Sequence, residues 1–171
     1  MKTNLFIVWT LFLIVGCTSQ EPVRMTPQQQ ETTKKDIGEV VKAIIHSLEN
    51  KDVDALFQSY LNSADFVFFT TDGSMAGFEE SKNHNAAWFK SLSSLKVTTI
   101  NENFIFLPGY DVICCWQGKF DMTAASGERF KIDRFGITFI FRKTDNGWKV
   151  IYQHASALPP VQDIPVSQAH L

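Results

Sequence analysis

The sequence lacks what several protein classes require. Its 171 residues include only 3 cysteines, too few for a small disulfide scaffold, and no CxxC pair that could hold zinc or exchange disulfides. Neither sign of charge dominates. There are 16 Lys+Arg against 18 Asp+Glu, a formal net charge of −2, and the basic residues are scattered, so no nucleic-acid partner is expected. Long apolar runs are also missing. The longest, Leu5 to Val15, is broken only by Thr10, and as a helix it rises about 16 Å, against the ~30 Å of hydrocarbon that a membrane-spanning helix crosses. The 4 histidines, His46, His84, His154 and His170, show no HExxH-type spacing, and neither a phosphate-cradling GxxxxGK nor a dinucleotide fingerprint occurs. Gly73-Ser74-Met75-Ala76-Gly77 is not GxSxG, because its serine directly follows the first glycine. Neither a metal nor a cofactor is expected.

What is present begins with an address. Met1 and Lys2 give a short positive end, the apolar run follows, and it stops at Gly16-Cys17. This resembles the bacterial lipoprotein signal, in which residues 1–16 are removed and the cysteine is acylated. The resemblance implies a membrane partner through lipidated Cys17. Thr18 in place of Asp implies sorting to the outer membrane, facing the periplasm. An ordinary secretory peptide cut nearby, with Cys17 an incidental thiol, is the alternative. Residues 17–35 have no apolar period and are rich in Gln, Thr and Pro, so they read as a tether. Pro159, Pro160 and Pro165 mark 159–171 as a Pro-rich tail through which no helix or central strand continues.

Between these ends, residues 36–158 have the pattern of one domain. Ile37, Val40, Val41, Ile44, Ile45 and Leu48 make one apolar stripe on a helix from about Asp36, a fitting N-cap, to Glu49. Val53, Leu56, Phe57 and Tyr60 continue the stripe on a second helix. Phe66 to Thr70 and Ser74 to Ala76 flank the turn residues Asp72-Gly73 as a short hairpin. Phe78 to Leu92 reads as a third helix. Four strands then follow, about Val97–Leu107, Tyr110–Thr123, Arg129–Lys143 and Trp148–Ser156, separated by turn-rich segments. The pattern is α+β: three N-terminal helices packed on a long, strongly curved antiparallel sheet. Apolar residues on both faces of the strands predict a homodimer through the face away from the helices. Cys114 and Cys115, adjacent in a strand, point to opposite faces and read as two small hydrophobes.

The order of elements, with Asp72-Gly73, Gly77 and the closing run Trp148-Lys149-Val150-Ile151-Tyr152-Gln153-His154-Ala155-Ser156, resembles the SnoaL-like branch of the nuclear transport factor 2-like superfamily. Members of that branch typically close on Trp, basic, two aliphatic residues, His, any, His, any, Ser. Here Tyr152 stands at the first of those histidines, and His154 and Ser156 are kept. The resemblance implies a cone-shaped half-barrel around a pocket, in relatives that range from isomerases, cyclases and dehydratases to noncatalytic association domains. Fold alone leaves function open.

Strand alternation places Trp148, Val150, Tyr152, His154 and Ser156 on one face of the last strand, and the charged Lys149 marks the other face as outward. Tyr60, His84, Trp88, Trp116, Arg134, Tyr152 and His154 are the candidate ligand-binding residues. Which face of the Arg134 strand is concave stays open. His154 is the candidate acid-base catalyst, with Tyr60 or Tyr152 donating to a developing oxyanion. Three functions fit: an envelope lipoprotein binding a small apolar molecule, an isomerase, cyclase or dehydratase using His154, and a noncatalytic interaction module.

Overall fold

A computed structural model describes residues 23–162. The signal-like segment, Cys17 and residues 163–171 lie outside these.

The first helix, α1, spans Pro27–Asn50 and begins nine residues before the expected Asp36. The cause is a capping box. Gln29 N–H donates to Thr26 Oγ1 at 3.3 Å while Thr26 N–H donates to Gln29 Oε1 at 2.8 Å, and Pro27 supplies a pre-set φ in the first turn. Residues 27–35 are therefore helix rather than tether. They carry no apolar stripe because this end of α1 projects beyond the main core, burying little more than Thr33. Asp36 is not a cap but an exposed mid-helix residue, 3.9 Å from Lys143 Nζ. The stripe behaves as expected, with Ile37, Val41 and Ile44 buried. Lys51 ends the helix in the left-handed region at φ 54, and its Nζ donates to the Leu92 and Ser93 carbonyls at 2.8 Å each.

Helix α2, Val53–Gln58, is capped by Asp52, which accepts from Ala55 N–H at 2.9 Å. The hairpin forms as β1, Val67–Phe69, and β2, Met75–Ala76. Helix α3 spans Phe78–Lys90. Four long strands follow: β3 Leu92–Phe106, β4 Val112–Ala124, β5 Arg129–Thr144 and β6 Gly147–Ala157. β3 starts five residues before the expected Val97, because irregular pairing at Leu92/Ser94 and Thr99/Asn101 breaks its apolar alternation. Within the Pro-rich tail a two-residue β7, Val161–Gln162, pairs with Phe130 and Lys131.

The sheet runs β2-β1-β6-β5-β4-β3, with β7 beside β5. β3 to β6 are the expected antiparallel meander, while β1 lies parallel to β6. The three helices cover its concave face, where Phe139, Phe141, Val112 and Val150 are almost completely buried. The row Phe135, Ile137, Phe139, Phe141 is thus the inner face of β5, and Arg134 and Arg142 point outward. Cys114 and Cys115 are unbridged and on opposite faces, and burial pushes the Cys114 thiol up to about 12.

Candidate functional site

Two irregularities decide which side chains face inward. Between β4 and β5, Gly118 pairs with Phe135 and Phe120 with Ile132, so Lys119 alone faces the two residues Asp133 and Arg134. This bulge lets both Phe135 and Ile132 point inward, although simple alternation would separate them. Between β5 and β6, Phe141 pairs with Val150 and Ile140 with Tyr152, leaving Ile151 as the extra residue. Trp148 and Val150 face in as expected. Beyond Ile151 the parity reverses: Gln153 and Ala155 are buried on the concave side, and His154 and Ser156 are exposed on the other.

The concave face and the helices enclose a cavity of about 330 Å³. Ile44 and Leu48 of α1 and Leu56 of α2 form one wall, with Trp88 of α3 nearby. Phe120, Met122, Ile132, Phe135 and Ile137 of the sheet form the other. The polar groups are few. Tyr60 is anchored by the backbone, since Leu61 N–H donates to the Val150 carbonyl and Val150 N–H to the Ser59 carbonyl, both at 2.9 Å. Its ring packs on Phe57 and Phe66, with centroids 5.1 and 5.7 Å away. Its hydroxyl donates to Gln153 Oε1 at 2.6 Å. Burial raises the Tyr60 phenol above its ordinary value, so it stays neutral at physiological pH.

Thr70, Thr71, His84 and Asn85 complete the lining. His84 is exposed, with Nε2 3.9 Å from Glu80. Asp72, in the β1–β2 turn, accepts from Thr70 Oγ1, from Ser74 Oγ at 2.7 Å and from Ser74 N–H at 2.9 Å. These hydrogen bonds hold its carboxyl down at about 2, so it orders the turn as a permanent carboxylate. Among the described residues no Asp or Glu lines the cavity, so its walls offer no carboxyl pair for acid-base work.

Of the residues expected from sequence, Tyr60, His84 and Trp88 meet at the cavity. His154 does not. It is exposed on the convex face, paired with Thr138 and Phe69, with its ring 5.7 Å from that of Phe69. Tyr152 lies on the same outer side, beside Phe69 at 6.2 Å. Arg134 is exposed at the β5 bulge. Trp116 does face inward but is packed as core, its Nε1 donating to Thr99 Oγ1 at 3.1 Å. Gln153 was missed. Nothing in the alternation marks it, because the Ile151 bulge that turns it inward leaves no trace in residue type.

A second, more polar groove of about 530 Å³ lies between the N-terminal half of α1 and the β3–β4 and β5–β6 turns. Its charges satisfy one another. Arg142 makes two hydrogen bonds to Asp111, at 3.1 and 2.7 Å, and Lys143 lies between Asp36 and the face of Trp148.

Residues 37–161 match the family of SnoaL-like domains. The chain belongs to that family. Solved structures sharing the SnoaL-like cone include a nuclear transport factor 2-like superfamily protein from Salmonella enterica serovar Typhimurium, with TM-score 0.69, 16% identity, and coverage of 82% of this chain and 99% of that one. A candidate scytalone dehydratase from Novosphingobium aromaticivorans has TM-score 0.73 and 9% identity over 82% of this chain and 93% of that one. A candidate calcium/calmodulin-dependent protein kinase II association domain from Xanthomonas campestris has TM-score 0.63 and 17% identity over 82% and 98%. No curated protein sequence matches the chain significantly. At these identities the likeness establishes the nuclear transport factor 2-like fold, and fold alone does not set the activity.

Proposed function

We propose that this SnoaL-like domain is a binding protein for a small, largely apolar molecule, held on the periplasmic side of the outer membrane by lipidated Cys17. One observation carries the binding reading: an open cavity of about 330 Å³ has aromatic and aliphatic walls and no charged side chain in its depth. Turnover through His154 loses its support, since that imidazole lies on the opposite face of the sheet. Tyr60 could still donate to an oxyanion, but the lining offers it no buried base. The reading as a pure interaction module needs a cone filled by its own aromatics, and the open cavity counts against it.

The test is a thermal-shift screen of neutral hydrophobic compounds on the domain and on Ala155→Phe, which places a ring in the cavity. A ligand at about 100 times its Kd should raise the wild-type Tm by roughly 5–10 °C and leave the variant unmoved. No shift with any compound in the wild type overturns the reading.

The convex face favours a homodimer as well. Strand register aligns Ile105, Ile113, Ile140, Tyr152 and Val67 in one apolar row across five strands, a surface suited to a second copy. Analytical ultracentrifugation of the delipidated domain should give twice the chain mass, and sedimentation as a monomer at micromolar concentration removes the proposal.

A further inference from the structure

The inner end of the cavity contains two polar side chains whose hydrogen bonding is incomplete in a directional way. Gln153, 5% exposed, uses its Oε1 to accept from Tyr60. In this arrangement the Oε1 end of the amide faces Tyr60 and the two Nε2 protons point elsewhere, with no acceptor for them among the described residues. Gln153 is among the cavity-lining residues, and its Nε2 is not sealed away from that space. A ligand that displaces water from this amide without bringing an acceptor leaves the donor unpaired, which is costly, so a ligand that brings one is favoured over an equally apolar ligand that does not.

Charge narrows the class further. Burial holds Tyr60 neutral, and the walls around the pair are Leu56, Phe68, Ile137 and Ala155. An anionic or cationic group drawn to this depth would lose its hydration without meeting an opposite charge. The rim differs, since Thr70, Thr71, Asn85 and the exposed His84 can meet polar parts of a ligand that remain in contact with water.

Resting on the binding reading above, we infer that Gln153, oriented by the Tyr60 hydroxyl, is the residue that sets specificity. It selects a neutral apolar molecule whose buried end carries one uncharged acceptor oxygen, a ketone or a hydroxyl. Tyr60 is the positioning residue, and the Ile151 bulge is what makes the arrangement possible, because without the change of parity the amide would lie outside.

The experiment uses three probes of matched shape, 2-acetylnaphthalene, 2-ethylnaphthalene and 2-naphthoate, titrated by calorimetry at pH 7.5 into the wild-type protein, Gln153→Leu and Tyr60→Phe. The ketone should bind the wild type roughly 3- to 10-fold more tightly than the hydrocarbon, and the carboxylate more weakly than either. In Gln153→Leu, which is one atom shorter and removes the donor, the ketone preference should fall to about 1 while the hydrocarbon still binds. Tyr60→Phe should reduce the preference partway, because the amide loses its orientation but not its protons. Equal binding of ketone and hydrocarbon by the wild type overturns the role of Gln153 and leaves the binding reading intact, as does a preference that survives in Gln153→Leu. Failure of every neutral probe to bind the folded wild type overturns both. The wild-type comparison needs no variant, so it decides the matter even if a substitution unfolds the domain.

Discussion

Replacing Gly118 with alanine should destabilise the domain by roughly 2–3 kcal/mol, near the upper end for inserting one carbon into a packed interior. A Cβ at this position would lie 2.5 Å from Trp116 Cζ2 and 2.6 Å from the Thr98 carbonyl oxygen, well inside ordinary contact distance. Neither neighbour can withdraw easily. The Trp116 ring is held by its hydrogen bond to Thr99 and by Phe120, 6.2 Å away between centroids, and Thr98 belongs to the β3 backbone paired with β4. Gly118 also flanks the bulge that turns Ile132 and Phe135 into the cavity, so relief by strand movement would disturb the binding wall. Urea unfolding followed by tryptophan fluorescence provides the measurement. An unchanged midpoint would show that Trp116 has room to rotate and that the wall is softer than its packing suggests.

The proposed anchor predicts an all-or-none effect. If residues 1–16 are removed, Lys2 goes with them, leaving 15 Lys+Arg against 18 Asp+Glu in the remaining chain. That slight negative excess gives no electrostatic attraction to an anionic lipid surface. Among the described residues no helix is long and apolar enough to cross a membrane. Attachment would then rest on acyl chains at Cys17 alone, each buried methylene contributing about 0.8 kcal/mol. Cys17→Ser should therefore abolish fatty-acid labelling and move the protein from the membrane pellet to the soluble fraction or leave it uncleaved. Unchanged labelling and unchanged pelleting of the variant would sink the lipoprotein reading without touching the cavity.

Much of the architecture was legible because it depends on repeated apolar positions. The stripe from Ile37 to Leu48 identified the face of α1 that is buried, and the turns after each long strand set the meander. The limits of that reading are physical. Thr26 and Gln29 start α1 through mutual hydrogen bonds, so its polar first turns carry no stripe and resemble a linker. The inner and outer faces of β5 are both rich in apolar residues, so polarity could not choose between them, and in β6 Lys149 marks the outer face only as far as the bulge. Above all, one extra residue at Ile151 and another at Asp133–Arg134 reverse the alternation midway along their strands. A family motif counted through Ile151 assigns the cavity to His154, whereas the backbone assigns it to Gln153.

The Tyr60–Gln153 contact joins residues 93 positions apart, and Tyr60 is fixed by β6, the last of the four long strands. No shorter portion of the polypeptide contains both halves of the cavity's inner end. The pocket comes into being only when β6 is in place, which makes it a late product of folding. A molecule bound there would hold the completed cone against reopening along that final seam.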